Sequence, residues 1–266
     1  MNRLEKSFKA LEKQGGNLFV PFLPIGYPDL AGTAKLLQIC EEAGADAVEL
    51  GVPFSDSLAD GPVIQAAYHH ALAAGLTVER VFEWIGEQRE KRSVPFVLMC
   101  AYNVTHKLGL DSFAARCRKV GVDAVISPDL PVEESAHLRK ELAAKHVCLV
   151  NLISPTTPPR RAHRIAKSSS GFVYYISRRG VTGTQEDLDA DLKLVVLDLK
   201  RHAKVPVLVG FGISTPEQAH TVSQVADGVI VGSALVTAVR DNLKRDWGKA
   251  VAQLARKLRE ACARDA

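Results

Sequence analysis

The chain has 266 residues, of which 47% are hydrophobic and 24% charged, and a net charge of +4. That is apolar material for one large α/β domain or two smaller ones, in the ordinary proportions of a globular protein. No apolar run reaches membrane-spanning length, the start Met1-Asn-Arg-Leu-Glu-Lys6 is charged and unlike a signal peptide, and no basic run or RNA-reading motif points to nucleic acid. The five cysteines are scattered, without a Cys-x-x-Cys pair or Cys/His ligand spacing, which predicts reduced buried thiols in a cytoplasmic protein. His69 and His70 are adjacent, face apart on a helix, and do not form a metal pair. No metal site is expected.

The first predicted element is an amphipathic helix over 2–13, with Leu4, Phe8 and Leu11 at i, i+4 and i+7. Apolar strand-like runs follow at 18–23, 47–50, 96–100, 124–127, 147–153, 172–176, 207–209 and 229–231. Between them lie helical patterns at 30–43, 62–74 with 77–91, 111–119, 132–145, 159–168, 188–203, 215–224 and 234–243. Helix-start signals stand at Asp111, Pro131-Val-Glu-Glu134, Pro158-Pro159 and Ser214-Thr-Pro-Glu217. The phrases Glu42-Ala-Gly-Ala-Asp-Ala-Val48 and Lys119-Val-Gly-Val-Asp-Ala-Val125 repeat one junction, helix end to Gly to strand, and Gln224-Val-Ala-Asp-Gly-Val229 is a looser third copy. Glycine there fits the position just past a helix C-terminus. A final Lys/Arg-rich helix carries Trp247, Val251, Leu254 and Leu258.

Eight βα units without a composition shift or long linker predict an α/β fold of the (β/α)8 TIM barrel type. It spans residues 1–266 as a single domain, with extra N-terminal and C-terminal helices. The competing architecture is a doubly wound open sheet. That fold usually shows a glycine-rich fingerprint after its first strand, whereas Pro24-Ile-Gly-Tyr-Pro28 is only a tight turn.

The chemistry collects in the second unit. Strand alternation puts Ala47, Glu49 and Gly51 on one face and Val48 and Leu50 on the other, so Glu49 points with two small neighbours into a confined interior. A buried, unpaired carboxylate holds its proton to higher pH, and Asp56 and Asp60 follow on the next loop. An interior acid at a strand's end with acids on the loop is a layout for proton transfer. The competing reading, a Glu paired with a buried Arg or Lys, is weakened by the later units. Arg178-Arg-Gly-Val-Thr-Gly183, Gly210-Phe-Gly-Ile-Ser214 and Val231-Gly-Ser233 place glycines on three successive loops at the same end of the barrel. Backbone N–H groups and a helix N-terminus there suit a small anion such as phosphate. Phe22, Cys100, Tyr102, Tyr174 and Phe211 are candidates to line an apolar mouth. Together these features describe a ligand with a phosphate at one end and a flat apolar ring at the other.

The stretch Val48-Glu-Leu-Gly-Val-Pro-Phe-Ser-Asp-Ser-Leu-Ala-Asp-Gly61 resembles the signature of the tryptophan synthase α subunit family. The likeness extends through Phe22 with Gly26-Tyr-Pro28, Asp60-Gly-Pro-Val-Ile-Gln65, Pro128-Asp-Leu-Pro131, Ser177-Arg-Arg-Gly-Val-Thr-Gly183, Gly210-Phe-Gly-Ile-Ser214 and Val231-Gly-Ser233. The resemblance implies a lyase that splits indole-3-glycerol phosphate into indole and glyceraldehyde 3-phosphate, with no cofactor in this chain. It implies Glu49 as general acid/base and Asp60 as the group that holds the indole N–H. It implies substrate contacts at Phe22, Tyr174, Thr182, Gly183, Phe211, Gly212, Gly232 and Ser233, with Thr182 helping to place Asp60. It also implies a β-subunit partner that carries pyridoxal phosphate, in an α2β2 complex. Four positions depart from the family's pattern: Pro24, Ser57, Ala101 and Arg179. Serine at 57 leaves φ freer than proline does, so the open loop is expected to lose more entropy on closing. The alternatives are a free-standing lyase that releases indole, a subunit that binds a phosphorylated ligand without turnover, and another phosphate-binding barrel such as a sugar-phosphate isomerase.

Overall fold

Eight short parallel strands close on themselves in chain order: β1 (Leu18–Pro24), β2 (Val48–Gly51), β3 (Phe96–Met99), β4 (Ala124–Ile126), β5 (Cys148–Ile153), β6 (Val173–Ile176), β7 (Val207–Gly210) and β8 (Gly228–Val231). Their connections are right for a barrel, since each parallel step needs a crossover, and helices supply every one. These are α2 (Leu30–Glu42), α3 (Pro62–Ala73) with α4 (Val78–Arg89), α5 (Tyr102–Leu108) with α6 (Leu110–Lys119), α7 (Ala136–Ala144), α8 (Pro159–Ser168), α9 (Gln185–His202) and α10 (Pro216–Ser223). α1 (Arg3–Lys13) precedes the barrel, and α11 (Ser233–Asp241) and α12 (Trp247–Ala261) follow it. This computed structural model describes residues 1–13, 16–57, 60–177, 185–210 and 212–263. The barrel expected from the βα alternation is the fold observed.

The repeated Asp junction has a physical role. Asp46, Asp123 and Asp227 sit just before β2, β4 and β8 and clamp the start of the preceding strand at two points. Each backbone N–H donates to a carbonyl, those of Phe19, Phe96 and Val207. Each carboxylate accepts the N–H of that same residue at 2.9–3.0 Å. Ser170 before β6 makes the equivalent clamp on Leu149 of β5, accepting its N–H at 2.8 Å. Every even strand is thereby stapled to its odd predecessor at the N-terminal end of the barrel, where strand ladders leave unpaired groups. Gly44 and Gly121 stand past α2 and α6 at φ 87° and 76°, as the glycine of the repeat predicts.

The outer helices pin the same end. α1 buries Leu4 and Phe8, each worth ~1.5–3 kcal/mol relative to an exposed side chain. Phe8 packs on Phe172 with centroids 6.1 Å apart, and Arg3 pairs with Asp123 at 3.2 Å. α12 buries Val251, Ala255 and Leu258, and its Arg259 reaches Asp46 at 3.5 Å. With the N-terminal end closed in this way, the C-terminal end is left for the loops.

Helices α5 and α7 differ most from expectation. α5 stands where the sequence pattern predicts no helix, because seven residues are too few to establish a 3.6-residue period. α7 starts at Ala136, four residues later than the predicted 132, because 131–135 is used up in turns closed by Glu134 N–H on Pro131 O and Ser135 N–H on Val132 O.

Candidate active site

Glu49 is seated by register. It lies beside Phe22 of β1 and Val97 of β3, with all three on the face that turns inward. The residue is 0% exposed, and neither carboxylate oxygen has a hydrogen-bond partner among the described residues. Burial pushes its pKa well above the usual carboxylate range, and the nearby charge of Asp60 pushes it the same way. A solvated carboxylate would gain nothing from this position; a proton donor is kept loaded by it.

Asp60 reaches the same cavity from the loop between β2 and α3. Burial raises its pKa, and a hydrogen bond from the Ser57 hydroxyl to Oδ2 lowers it. Ser57 is held in turn by Gln65 of α3, whose Nε2 donates to the Ser57 carbonyl at 2.9 Å. Freedom at this serine, expected from its φ range, is therefore taken up by two hydrogen bonds. The two acids have diverging environments, one dry and unpartnered, the other partly open and hydrogen-bonded. That is the condition under which one carboxyl stays protonated while its neighbour ionises.

A cavity of about 290 Å³ opens between them. Its walls are Phe22, Ile64, Met99, Tyr174, Ile213 and Ile230, and Gly212, Gly232 and Ser233 border it on the side of β7 and β8. Two tyrosines depend on missing Cβ atoms. A Cβ at Gly51 would collide with the Tyr68 hydroxyl, and one at Gly210 would sit 2.6 Å from the Tyr174 hydroxyl. Burial raises the pKa of both tyrosines well above the ordinary value, with Glu49 and Asp60 adding to the shift, so both hydroxyls keep their protons. At Gly232 a Cβ would meet Phe22 Cδ1 at 2.9 Å, so this glycine makes room for a cavity wall as well as for any anion. Gly232 also stands at the N-cap of α11, which has no side-chain cap and no acid in its first turn. Its leading N–H groups are thus available to an anion.

Of the residues predicted from the sequence, Glu49, Asp60, Phe22, Tyr174, Gly212, Gly232 and Ser233 border this one cavity. Thr182, Gly183 and Phe211, with Arg178 and Arg179, lie outside the described residues. Cys100 and Tyr102 are not among the lining residues. β3 ends at Met99, which pairs with Gly51 and turns inward, so Cys100 is buried elsewhere and Tyr102 begins α5 with its N–H on Asp129 at 2.8 Å. Alternation along β3 carries the signal for Met99. Ile64 was missed too, although its i, i+4 spacing with Tyr68 puts it on the barrel side of α3.

Folding also brings together His163 of α8 with Asp198 and His202 of α9. His163 Nε2 is 2.6 Å from Asp198 Oδ2, and the two imidazoles stack at 3.6 Å with 12° between planes. Nitrogen lone pairs lie in the ring planes, and two nearly parallel planes do not converge on one ion. The arrangement as it stands is an interhelix hydrogen bond, which lowers the Asp198 pKa.

Comparison with known proteins gives a consistent result. The sequence profile described as "Tryptophan synthase alpha chain" matches residues 8–263. A tryptophan synthase alpha chain from Geobacter sulfurreducens is 42% identical over 262 residues, 98% of this chain and 99% of the relative. One from Geobacter sp. (strain M21) is 45% identical over 236 residues, 89% of this chain and 88% of the relative. Among solved structures, tryptophan synthase subunit alpha from Legionella pneumophila str. Paris superposes with a TM-score of 0.90 at 34% identity, covering 98% of both chains.

Proposed function

The chain belongs to the tryptophan synthase alpha chain family, a family of lyases that cleave indole-3-glycerol phosphate to indole and glyceraldehyde 3-phosphate, and from that premise we propose that Glu49 and Asp60 divide the proton chemistry of this cleavage. The observation that carries the assignment is the buried, unpartnered Glu49 carboxyl facing a cavity that it shares with Asp60. Glu49 delivers its proton to the ring carbon that bears the side chain. The positive charge that develops on the ring nitrogen is met by the Asp60 carboxylate, which accepts the N–H. The ionised Glu49 then takes the proton of the adjacent glycerol hydroxyl. The O–H electron pair forms the aldehyde C=O, the C–C bond breaks, and its pair restores the aromatic ring. Glu49 ends protonated, as it began, so a single group serves as acid and base in turn.

Phe22, Tyr174, Phe211 and the isoleucine walls take the indole ring, and the glycine loops with Gly183, Gly212, Gly232 and Ser233 take the phosphate. Thr182 contacts bound substrate and helps place Asp60. This assignment predicts that phosphate binding rests on backbone amides. Gly212 has φ 78°, so Gly212→Val strains the loop and fills the space that an anion needs. The expected result is a raised KM for the phosphate ester with little change in turnover of a dephosphorylated analogue. If Arg178→Ala with Arg179→Ala abolished binding while the glycine variant bound normally, the cradle would be misassigned.

The chain acts as one domain over 1–266, in the cytoplasm, with no cofactor of its own. No helix among the described residues is long and apolar enough to cross a membrane. Its partner is a tryptophan synthase β subunit carrying pyridoxal phosphate, in an α2β2 complex, and neither nucleic acid nor membrane is involved. A docked β subunit favours the competent form of the site, because only binding that discriminates between forms shifts their balance. Indole formation at saturating substrate should therefore rise as β subunit is titrated in. A flat curve despite demonstrated complex formation would favour the free-standing lyase, and no indole under any condition would leave a ligand-binding subunit without turnover.

A further inference from the structure

Ser57 is one of the four positions that depart from the family's pattern, and it touches the proposed machinery directly. Its hydroxyl donates to Asp60 Oδ2. Its carbonyl accepts from Gln65 Nε2, and Gln65 is anchored one turn inside α3, which begins at Pro62. The path from Ser57 to Asp60, on to Gln65 and back to Ser57 is a closed ring of covalent and hydrogen bonds. It ties the acid to the helix that follows it. On the basis of the lyase reading, we propose that Ser57 is a positioning residue for the cleavage: its hydroxyl grips the Asp60 carboxylate and aims it into the cavity from within its own loop.

The surroundings of Asp60 explain why such a clasp matters. Among the described residues, the titratable groups that Asp60 acts on are Glu49 from β2, Tyr68 from α3 and Tyr174 from β6. None of these is a cation, and burial opposes the Asp60 charge. Among the described residues, the Ser57 O–H is the group that favours the charged form. A hydrogen bond to an ionised acceptor is stronger than one between neutral groups, and it is spent on the form that the reaction needs. A serine that only braced the loop would affect turnover equally at every pH. One that acts through Asp60 must also set the pH at which Asp60 ionises.

That difference is measurable in the full chain with β subunit present. Protein labelled with ¹³C at the aspartate carboxyl carbons is titrated by NMR, with Asp60 assigned by the signal lost in Asp60→Asn. The kcat/KM for indole-3-glycerol phosphate is followed over the same pH range in wild type, Ser57→Ala and Ser57→Thr. Removing the hydroxyl raises the Asp60 pKa, so the ionised form is lost at higher pH as acid is added. In folded Ser57→Ala both the Asp60 midpoint and the acid limb of kcat/KM should move up by ~1 pH unit, a tenfold change in the ionisation equilibrium. Ser57→Thr, which keeps a hydroxyl, should restore both. Repeating the NMR titration in a Glu49→Gln background removes the coupled proton, and the midpoint shift should persist there. An unchanged midpoint overturns the proposal, as does an acid limb that stays in place while activity falls evenly. Wild-type protein that makes no indole would instead sink the lyase reading, and the NMR midpoint would still decide whether Ser57 governs Asp60.

Discussion

Glu49→Gln should reduce indole formation by about 10²–10⁴-fold, the range over which general acid/base groups contribute. The amide keeps the shape of the carboxyl and removes its transferable proton, so KM for indole-3-glycerol phosphate should change far less than kcat. The same variant makes a prediction about stability, and its sign follows from burial. Glu49 has a folded-state pKa raised well above the unfolded value. Its protonated form is the one the fold tolerates, so stability is fully present below the unfolded pKa and is lost as pH rises through the folded one. Glutamine does not ionise and escapes that loss. Denaturant unfolding above neutral pH should therefore find Glu49→Gln as stable as wild type or more so, while turnover has collapsed. Loss of activity accompanied by loss of stability would mean that Glu49 is a structural residue. A turnover loss well under a hundredfold would mean that another group carries the proton.

This opposition between stability and activity bears on what a sequence can disclose. The barrel was readable because its signal is repeated: eight apolar runs, seven helical crossovers between them, and a junction phrase that recurs. The residues of that phrase turned out to be the clamps between strand pairs, at Asp46, Asp123 and Asp227. Ser170 performs the same task in a different sequence context and so gave no signal. Glu49 was readable because a lone acid in an apolar strand violates the local pattern, and such violations concentrate at functional sites. What escaped was set by contacts between distant segments. Met99 and Ile230 face the cavity through register across the barrel, while the Tyr68 hydroxyl packs over Gly51 only because that residue has no side chain. Ser57 was visible as a departure from a family pattern, but its hydrogen bond to Asp60 depends on how the loop folds back on α3.

Asp60→Asn is the second substitution of large expected effect, and it separates charge from shape. Asparagine can still accept the indole N–H through its carbonyl oxygen, but it cannot offset the positive charge that develops on the ring. Removing a preorganised group aimed at developing charge typically costs about 10²–10³ in kcat. A second consequence follows from coupling between the acids. The Asp60 charge raises the Glu49 pKa, so neutralising residue 60 should let Glu49 ionise at lower pH. Cleavage needs Glu49 protonated, and the alkaline limb of kcat should accordingly shift downward in Asp60→Asn. Near wild-type turnover would hand the ring nitrogen to water or to Asp56, whose Oδ2 accepts from the Ser55 hydroxyl at 2.7 Å on the exposed part of the loop. Low turnover with an unmoved alkaline limb would be a different result. It would keep Asp60 as the partner of the ring nitrogen but show that the two carboxyls do not titrate as a coupled pair, and the division of labour between them would then rest on the burial of Glu49 alone.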